Sequence, residues 1–209
     1  PLKGKDKSNI YTFLKLDDAR QIGQKIKEIQ WGKAVILGAG LIGLKAAEAL
    51  VKKGFKVTVV ELADRILSTI LDQKAASVMQ SYLESKGIKF QLSDTIEEFI
   101  GDNKAEAVRL KSGSKLKCDL VVMAVGVRPN LELVQESDIN CNQGILVNKR
   151  LETGVKDIYA AGDVAEGYDM LKGSAGVIPI WPNAYQQGYT AGLNLAGGKE
   201  VYQEGFARN

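Results

Sequence analysis

The chain has 209 residues, with 28 basic and 25 acidic side chains for a net charge of +3 and no histidine. The missing histidine excludes a Ser-His-Asp triad, a Cys-His pair and a His-ligated zinc site, and the interspersed charges form no basic stripe to follow a phosphate backbone, so nucleic acid is not an expected partner. No apolar run reaches the roughly 18 residues of a membrane-spanning helix, and the opening Pro1-Leu2-Lys3-Gly4-Lys5-Asp6 lacks the pattern of a secretory signal, so a cytoplasmic protein without a membrane partner is expected.

The chain starts without methionine, in a loop-like segment that leads into the alternating run Ile10-Tyr11-Thr12-Phe13-Leu14. This reads as a strand arriving from elsewhere in a longer polypeptide. Ala19 to Ile29 follows, with Ile22, Ile26 and Ile29 at helical spacing and Asp17-Asp18 at the positive end of the dipole. After Gly32 the run Lys33-Ala34-Val35-Ile36-Leu37 is nearly continuous and apolar, as expected of a strand buried on both faces of a parallel sheet.

Gly38-Ala39-Gly40-Leu41-Ile42-Gly43 then opens a helix that runs to Lys53 and is capped by Gly54, before a second strand from Lys56 to Glu61. Strand, glycine turn, helix and strand within about 30 residues form one βαβ unit with a right-handed crossover. The turn matches G-x-G-x-x-G, and its setting gives each glycine a task. Gly38 allows the tight exit from the strand, Gly40 leaves room for a pyrophosphate against the backbone, and Gly43 lets the helix approach the strand. The helix amino end, reached through Leu41 and Ile42, supplies the anion site. Eighteen residues after Gly43, Glu61 ends the second strand, where a carboxylate accepts hydrogen bonds from a ribose diol and repels a 2′-phosphate. No arginine follows until Arg65, so NADH is expected in preference to NADPH.

Asp72 to Lys86 reads as a helix ended by Gly87, and Ile88 to Gln91 as a strand. Between Thr95 and Leu116 the period changes to two, with turn signals at Gly101-Asp102-Asn103 and Ser112-Gly113-Ser114, so an antiparallel meander is expected. Leu120 to Val125 is a buried strand that ends at Gly126. Ile145-Leu146-Val147 and Ile158-Tyr159-Ala160 read as short strands, Gly162-Asp163 as a turn, and Pro182 to Ala196 as a last helix. Cys118 and Cys141 stand too far apart for a C-x-x-C motif and indicate neither a redox pair nor a metal site. Any redox chemistry must come from a bound cofactor.

Four stretches together resemble the pyridine nucleotide-disulfide oxidoreductase superfamily, within it the rubredoxin reductase and NADH oxidase-like group. They are Val35 to Leu50 with Glu61, Ala124 to Asn130 (AVGVRPN), Thr153 to Glu166 (TGVKDIYAAGDVAE) and Ile178 to Gly188 (IPIWPNAYQQG). The resemblance implies that Gly126 and Val127 contact the nicotinamide cofactor, that Gly162 and Asp163 meet the ribityl and pyrophosphate region of FAD, and that the helix after Trp181 aims its amino end at the flavin ring. By the same resemblance an adenosine-binding turn for FAD and a carboxyl-terminal interface domain lie outside this sequence, so the chain is expected to be a fragment, inactive alone. Lys45 stands where many members carry a glutamate that orients the nicotinamide.

The expected fold is α/β: a Rossmann-like parallel sheet with helices on one face and the antiparallel meander on the other. Residues 1–16 are expected to end the first part of the FAD domain, 17–130 to bind NAD(H), and 131–209 to form the second part of the FAD domain. As a whole, an FAD-dependent NADH oxidoreductase is expected, passing a hydride from NADH to flavin and on to oxygen, a disulfide, or a rubredoxin- or ferredoxin-like protein; self-association into a homo-oligomer is also expected. A non-catalytic NAD-binding or sensing domain is the alternative. A one-domain NAD dehydrogenase is a third, for which a substrate proton relay would need an unusual lysine or tyrosine.

Overall fold

The computed structural model describes residues 2–170 and 173–203. Residues 1, 171–172 and 204–209, which the expected domain ranges include, lie outside the described residues. The chain forms two compact units, passing from the first to the second between Val127 and Arg128.

The first unit is built on a five-stranded sheet, β1 (Ile10–Thr12), β2 (Lys33–Leu37), β3 (Lys56–Val60), β4 (Ile88–Gln91) and, later in the chain, a strand over Leu120–Met123. Helices α1 (Leu16–Glu28), α2 (Leu41–Lys52) and α3 (Gln73–Ser85) connect the early strands. A three-stranded antiparallel meander, β5 (Ile96–Ile100), β6 (Ala107–Leu110) and β7 (Lys115–Lys117), precedes the Leu120–Met123 strand, β8. The sheet order is β1-β8-β2-β3-β4, and every neighbouring pair is parallel.

Strand alternation divides the core into two layers. Ala34, Ile36, Val57, Val59, Leu120 and Val122 pack with Ala46, Ala47 and Leu50 of α2 and Ala76 of α3. Val35, Leu37, Val60 and Val121 point the other way and pack with Ile96, Phe99, Val108 and Leu110 of the meander. Helices therefore cover one face and the meander the other, as the sequence implied. Covering both faces is why the strands read as unbroken apolar runs; each fully buried Val, Ile or Leu contributes about 1.5 to 3 kcal/mol.

One expectation is corrected here, the start of α1. Before that helix, β1 pairs in parallel with β8, Ile10 opposite Val121 and Thr12 opposite Met123. The physical reason is β8's free edge, which takes its hydrogen bonds from this segment, as in the Val121 N-H to Asn9 O bond of 3.0 Å. The amino end of α1 lies three residues before Ala19. The Asp18 carboxylate accepts the N-H groups of Leu14 (2.8 Å) and Lys15 (3.1 Å) and the Thr12 hydroxyl (2.7 Å), which anchors the first turn. Those bonds, that of Leu14 foremost, hold the Asp18 carboxyl below the usual carboxylate range.

In the second unit β9 (Ile145–Leu146) runs parallel to β10 (Ala165–Asp169), which forms an antiparallel pair with β11 (Ser174–Val177). Helix α4 spans Trp181–Leu195, with Pro182 in its first turn. The strand expected over Ile158-Tyr159-Ala160 does not form. Its backbone bonds instead to the residues just before it, Thr153 N-H to Ile158 O and Ala160 N-H to Leu151 O, leaving a single bridge between Glu152 and Tyr159. The β10 and β11 hairpin has no counterpart in the sequence reading.

Candidate functional site

The carboxyl ends of β2, β3 and β8 meet at a groove of about 350 Å3 in the first unit, lined by Gly38, Ala39, Gly40, Glu61, Leu62, Leu67, Ser68, Thr69, Thr95, Ala124, Val125 and Gly126 among others. Five residues singled out in the sequence, Gly38, Ala39, Gly40, Glu61 and Gly126, thus come together. Leu41 and Ile42 are exposed at the start of α2, and Gly43 is buried beneath it. Val127 is exposed at the end of the unit and does not line the groove.

The three glycines differ in what surrounds them. A Cβ on Gly38 would stand 2.4 Å from Ala124 O, and one on Gly43 would stand 2.0 Å from Gly38 O, so both positions are closed by the protein's own backbone. Gly40 has nothing within 4 Å of a Cβ. The space in front of it is open to a ligand. Gly40 is also the N-cap of α2 and carries no capping side chain, and the first backbone bond of the helix is from Leu44 N-H to Gly40 O. The N-H groups of Leu41, Ile42 and Gly43 precede that bond and have no intrahelical acceptor, and with the helix dipole they give this end a positive electrostatic character. In α3, by contrast, Asp72 caps its own helix by accepting from Ala75 N-H at 2.8 Å.

Glu61 is tied to the turn. One carboxylate oxygen accepts Ala39 N-H at 2.6 Å and the other Ala63 N-H at 2.8 Å. Each oxygen keeps a further lone pair for a hydroxyl donor. Lys45 lies along the solvent side of α2, where it pairs with Glu48 at 3.2 Å, and Glu48 pairs in turn with Lys52 at 2.8 Å. Lys52 first and Lys45 second hold the Glu48 carboxyl below its usual range.

In the second unit, Gly162 and Asp163 lie in a short 3-10 turn, Gly162–Val164. Gly162 N-H donates to Gln187 Oε1 of α4 at 2.7 Å, which fixes the turn against that helix and leaves Asp163 exposed. Trp181, at the start of α4, is 84% exposed. A core anchor is therefore not its role within this unit.

The sequence assigned no binding role to Leu67, Thr69, Thr95, Ala124 and Val125, which also line the groove. Ala124 and Val125 directly follow β8, and the rule that ligands bind beyond the carboxyl ends of parallel strands would have drawn attention to them. Among the described residues no group of His, Cys, Asp and Glu side chains could hold a metal, and no helix is long and apolar enough to cross a membrane.

Neither cysteine belongs to the groove. Cys118 is buried and donates to Ala105 O, and burial, with Asp119 nearby, pushes its thiol up to about 12; Cys141 is exposed. Only the thiolate reacts, so at about pH 8 iodoacetamide should modify Cys141 and spare Cys118. Reaction at Cys118 should rise only toward the most alkaline conditions. Equal labelling of both near pH 8, read by peptide mass spectrometry, contradicts this assignment.

Comparison with known proteins gives a consistent result. A family model described as pyridine nucleotide-disulphide oxidoreductase matches residues 1–188. The chain is 38% identical over 198 residues to an NADH oxidase of Methanocaldococcus jannaschii, a match covering 94% of this chain and 44% of that protein. It is 39% identical over 167 residues to the rubredoxin-NAD(+) reductase of Acinetobacter baylyi, covering 79% of this chain and 42% of the other. Among solved structures, an NAD-dependent persulfide reductase from A. fulgidus superimposes with a TM-score of 0.93 at 30% identity, covering 98% of this chain and 38% of that one. The chain spans less than half the length of each of these relatives.

Proposed function

Because this chain belongs to the pyridine nucleotide-disulphide oxidoreductase family, we propose that its first unit binds NADH for an FAD-dependent oxidoreductase, the groove beyond β2 and β3 taking the ADP-ribose half. The observation that carries this reading is the open space at Gly40 in front of an uncapped helix amino end, between two glycines closed by backbone. The diphosphate lies against the N-H groups of Leu41 and Ile42. Glu61 accepts from the adenosine ribose diol with the lone pairs that Ala39 and Ala63 leave free. Gly126 and Val127, past the end of β8, flank the path toward the nicotinamide.

When bound, FAD supplies the acceptor for the hydride of NADH and passes electrons onward. The chain's own share is binding and orientation. Asp163, exposed on the turn that Gln187 fixes, offers a carboxylate to ribityl hydroxyls, and the amino end of α4, at Trp181, offers a positive dipole end to a flavin ring that gains charge on reduction. The rubredoxin-NAD(+) reductase relative supports a small redox protein as the electron acceptor. Anaerobic assays of the complete protein with a rubredoxin, a ferredoxin, a disulfide and oxygen identify it.

Calorimetric titration of the chain tests the nucleotide assignment. NADH should bind at least about tenfold more tightly than NADPH, a difference of about 1.4 kcal/mol, because a 2′-phosphate meets the Glu61 carboxylate. Equal affinities sink the ribose assignment. Glu61→Ala should weaken NADH by about 1 to 3 kcal/mol, since it removes the ribose acceptor and strands the Ala39 and Ala63 N-H groups.

A further inference from the structure

One side of the groove is an arch, residues 62–71, that carries Ser68 and Thr69 to the groove wall. Its middle is fastened to the glycine turn by Leu67 N-H, which donates to Ala39 O at 3.0 Å. Leu67 O then accepts from the N-H groups of Ile70 (2.8 Å) and Leu71 (2.9 Å). Leu67 sits at φ +50, in the left-handed region that residues other than glycine seldom adopt. Such a conformation persists only where its surroundings enforce it.

Arg65 supplies that enforcement. Its Nε donates to Leu71 O at 3.3 Å, Nη2 to Ser68 O at 3.1 Å and Nη1 to Asp64 Oδ1 at 2.9 Å. One planar guanidinium thus spans both ends of the Ser68 to Leu71 turn, a task that a lysine ammonium, a point charge on a flexible stem, does not match. The same commitments direct the fork into the arch. This is the first arginine after Glu61 in the sequence.

We propose that Arg65 is a positioning residue: by stapling the arch it fixes the wall of the adenosine end of the groove. This rests on the reading of the groove as the ADP-ribose site. One link follows. The arch and the ribose acceptor share Ala39, whose N-H goes to Glu61 and whose carbonyl goes to Leu67, so loosening the arch disturbs the ribose site without touching any ligand atom.

The test uses ADP-ribose and 2′-phospho-ADP-ribose as probes in calorimetry on the chain, with Arg65→Ala and Arg65→Lys beside the unchanged protein, and amide hydrogen exchange at Leu67, Ile70 and Leu71. Both variants are expected to bind ADP-ribose at least about tenfold more weakly, a factor of ten being about 1.4 kcal/mol, and to lose protection at those three amides. The weaker 2′-phosphorylated probe should lose no more than ADP-ribose does. Full affinity in Arg65→Lys overturns the proposal, since charge alone would then suffice. A larger loss for the 2′-phosphorylated probe also overturns it, because Arg65 would then be a direct phosphate ligand. So does unchanged amide protection in the variants. If the unchanged chain binds neither probe, the reading of the groove fails, and the exchange measurement still decides whether Arg65 staples the arch. Should Arg65→Ala not fold, Arg65→Lys carries every arm.

Discussion

Replacing Gly40 with valine will weaken NADH binding by about 100-fold or more, about 2.7 kcal/mol and upward, while the fold stays in place. The two halves of this expectation come from one measurement: nothing of the protein lies within 4 Å of a Cβ at Gly40. A Cβ there has open space around it, and the local backbone, φ −77 and ψ −178, is extended and suits a β-branched residue. The cost to stability is confined to a poorer N-cap, at most about 1 kcal/mol. For a dinucleotide the same space is the approach to the N-H groups of Leu41 and Ile42, and an isopropyl group fills it. Titration of the variant with NADH, alongside its thermal unfolding curve, checks both halves. Normal binding places the diphosphate elsewhere.

Much of the first unit could be read from the sequence because its signals are local and agree with one another. The run from Lys33 to Leu37, the glycine turn and Glu61 specify a strand, a close approach and a strand end within one βαβ unit, and the pairing of β2 with β3 follows from that connection. The meander was legible for the same reason, since its turns fall at Gly101 and Gly113, both at positive φ. What the sequence hid was settled by distant partners. β1 read as a strand, but its pairing with β8, Ile10 opposite Val121, lay far along the chain and had no local signal. β10 was invisible because Glu166-Gly167-Tyr168-Asp169 shows no apolar alternation. Its buried Glu166 is tolerated only because Asn142 and the Gly144 N-H donate to the carboxylate, at 3.0 and 2.9 Å. In the groove, the glycines and Glu61 announced themselves, whereas the arch did not. Residues 62–71 have no period, and their shape comes from side chain to backbone bonds that no spacing encodes.

Gly38→Ala is expected to destabilise the first unit by more than about 4 kcal/mol, a large part of the roughly 5 to 15 kcal/mol that holds a domain folded. Two costs add at this position. Gly38 has φ +105, outside the conformations open to an L side chain, and its Cβ would stand 2.4 Å from Ala124 O and 2.9 Å from Ala124 C. Neither neighbour can retreat cheaply. Ala124 N-H donates to Leu37 O at 2.8 Å, continuing the ladder between β2 and β8, and Gly38 N-H donates to Val60 O at 2.8 Å on the other side. Relief of the clash therefore means parting β2 from β8 or from β3 where Ile36, Val59 and Val122 are fully buried. Urea unfolding of Gly38→Ala and Gly40→Ala gives the comparison, because both add one methyl group to the same turn. The first should unfold at far lower denaturant or fail to fold at all, and the second should lie within about 1 kcal/mol of the unchanged chain. Similar midpoints for the two would mean that the turn does not wedge between β2 and β8, and the close backbone approach on which the groove is built would have to be abandoned.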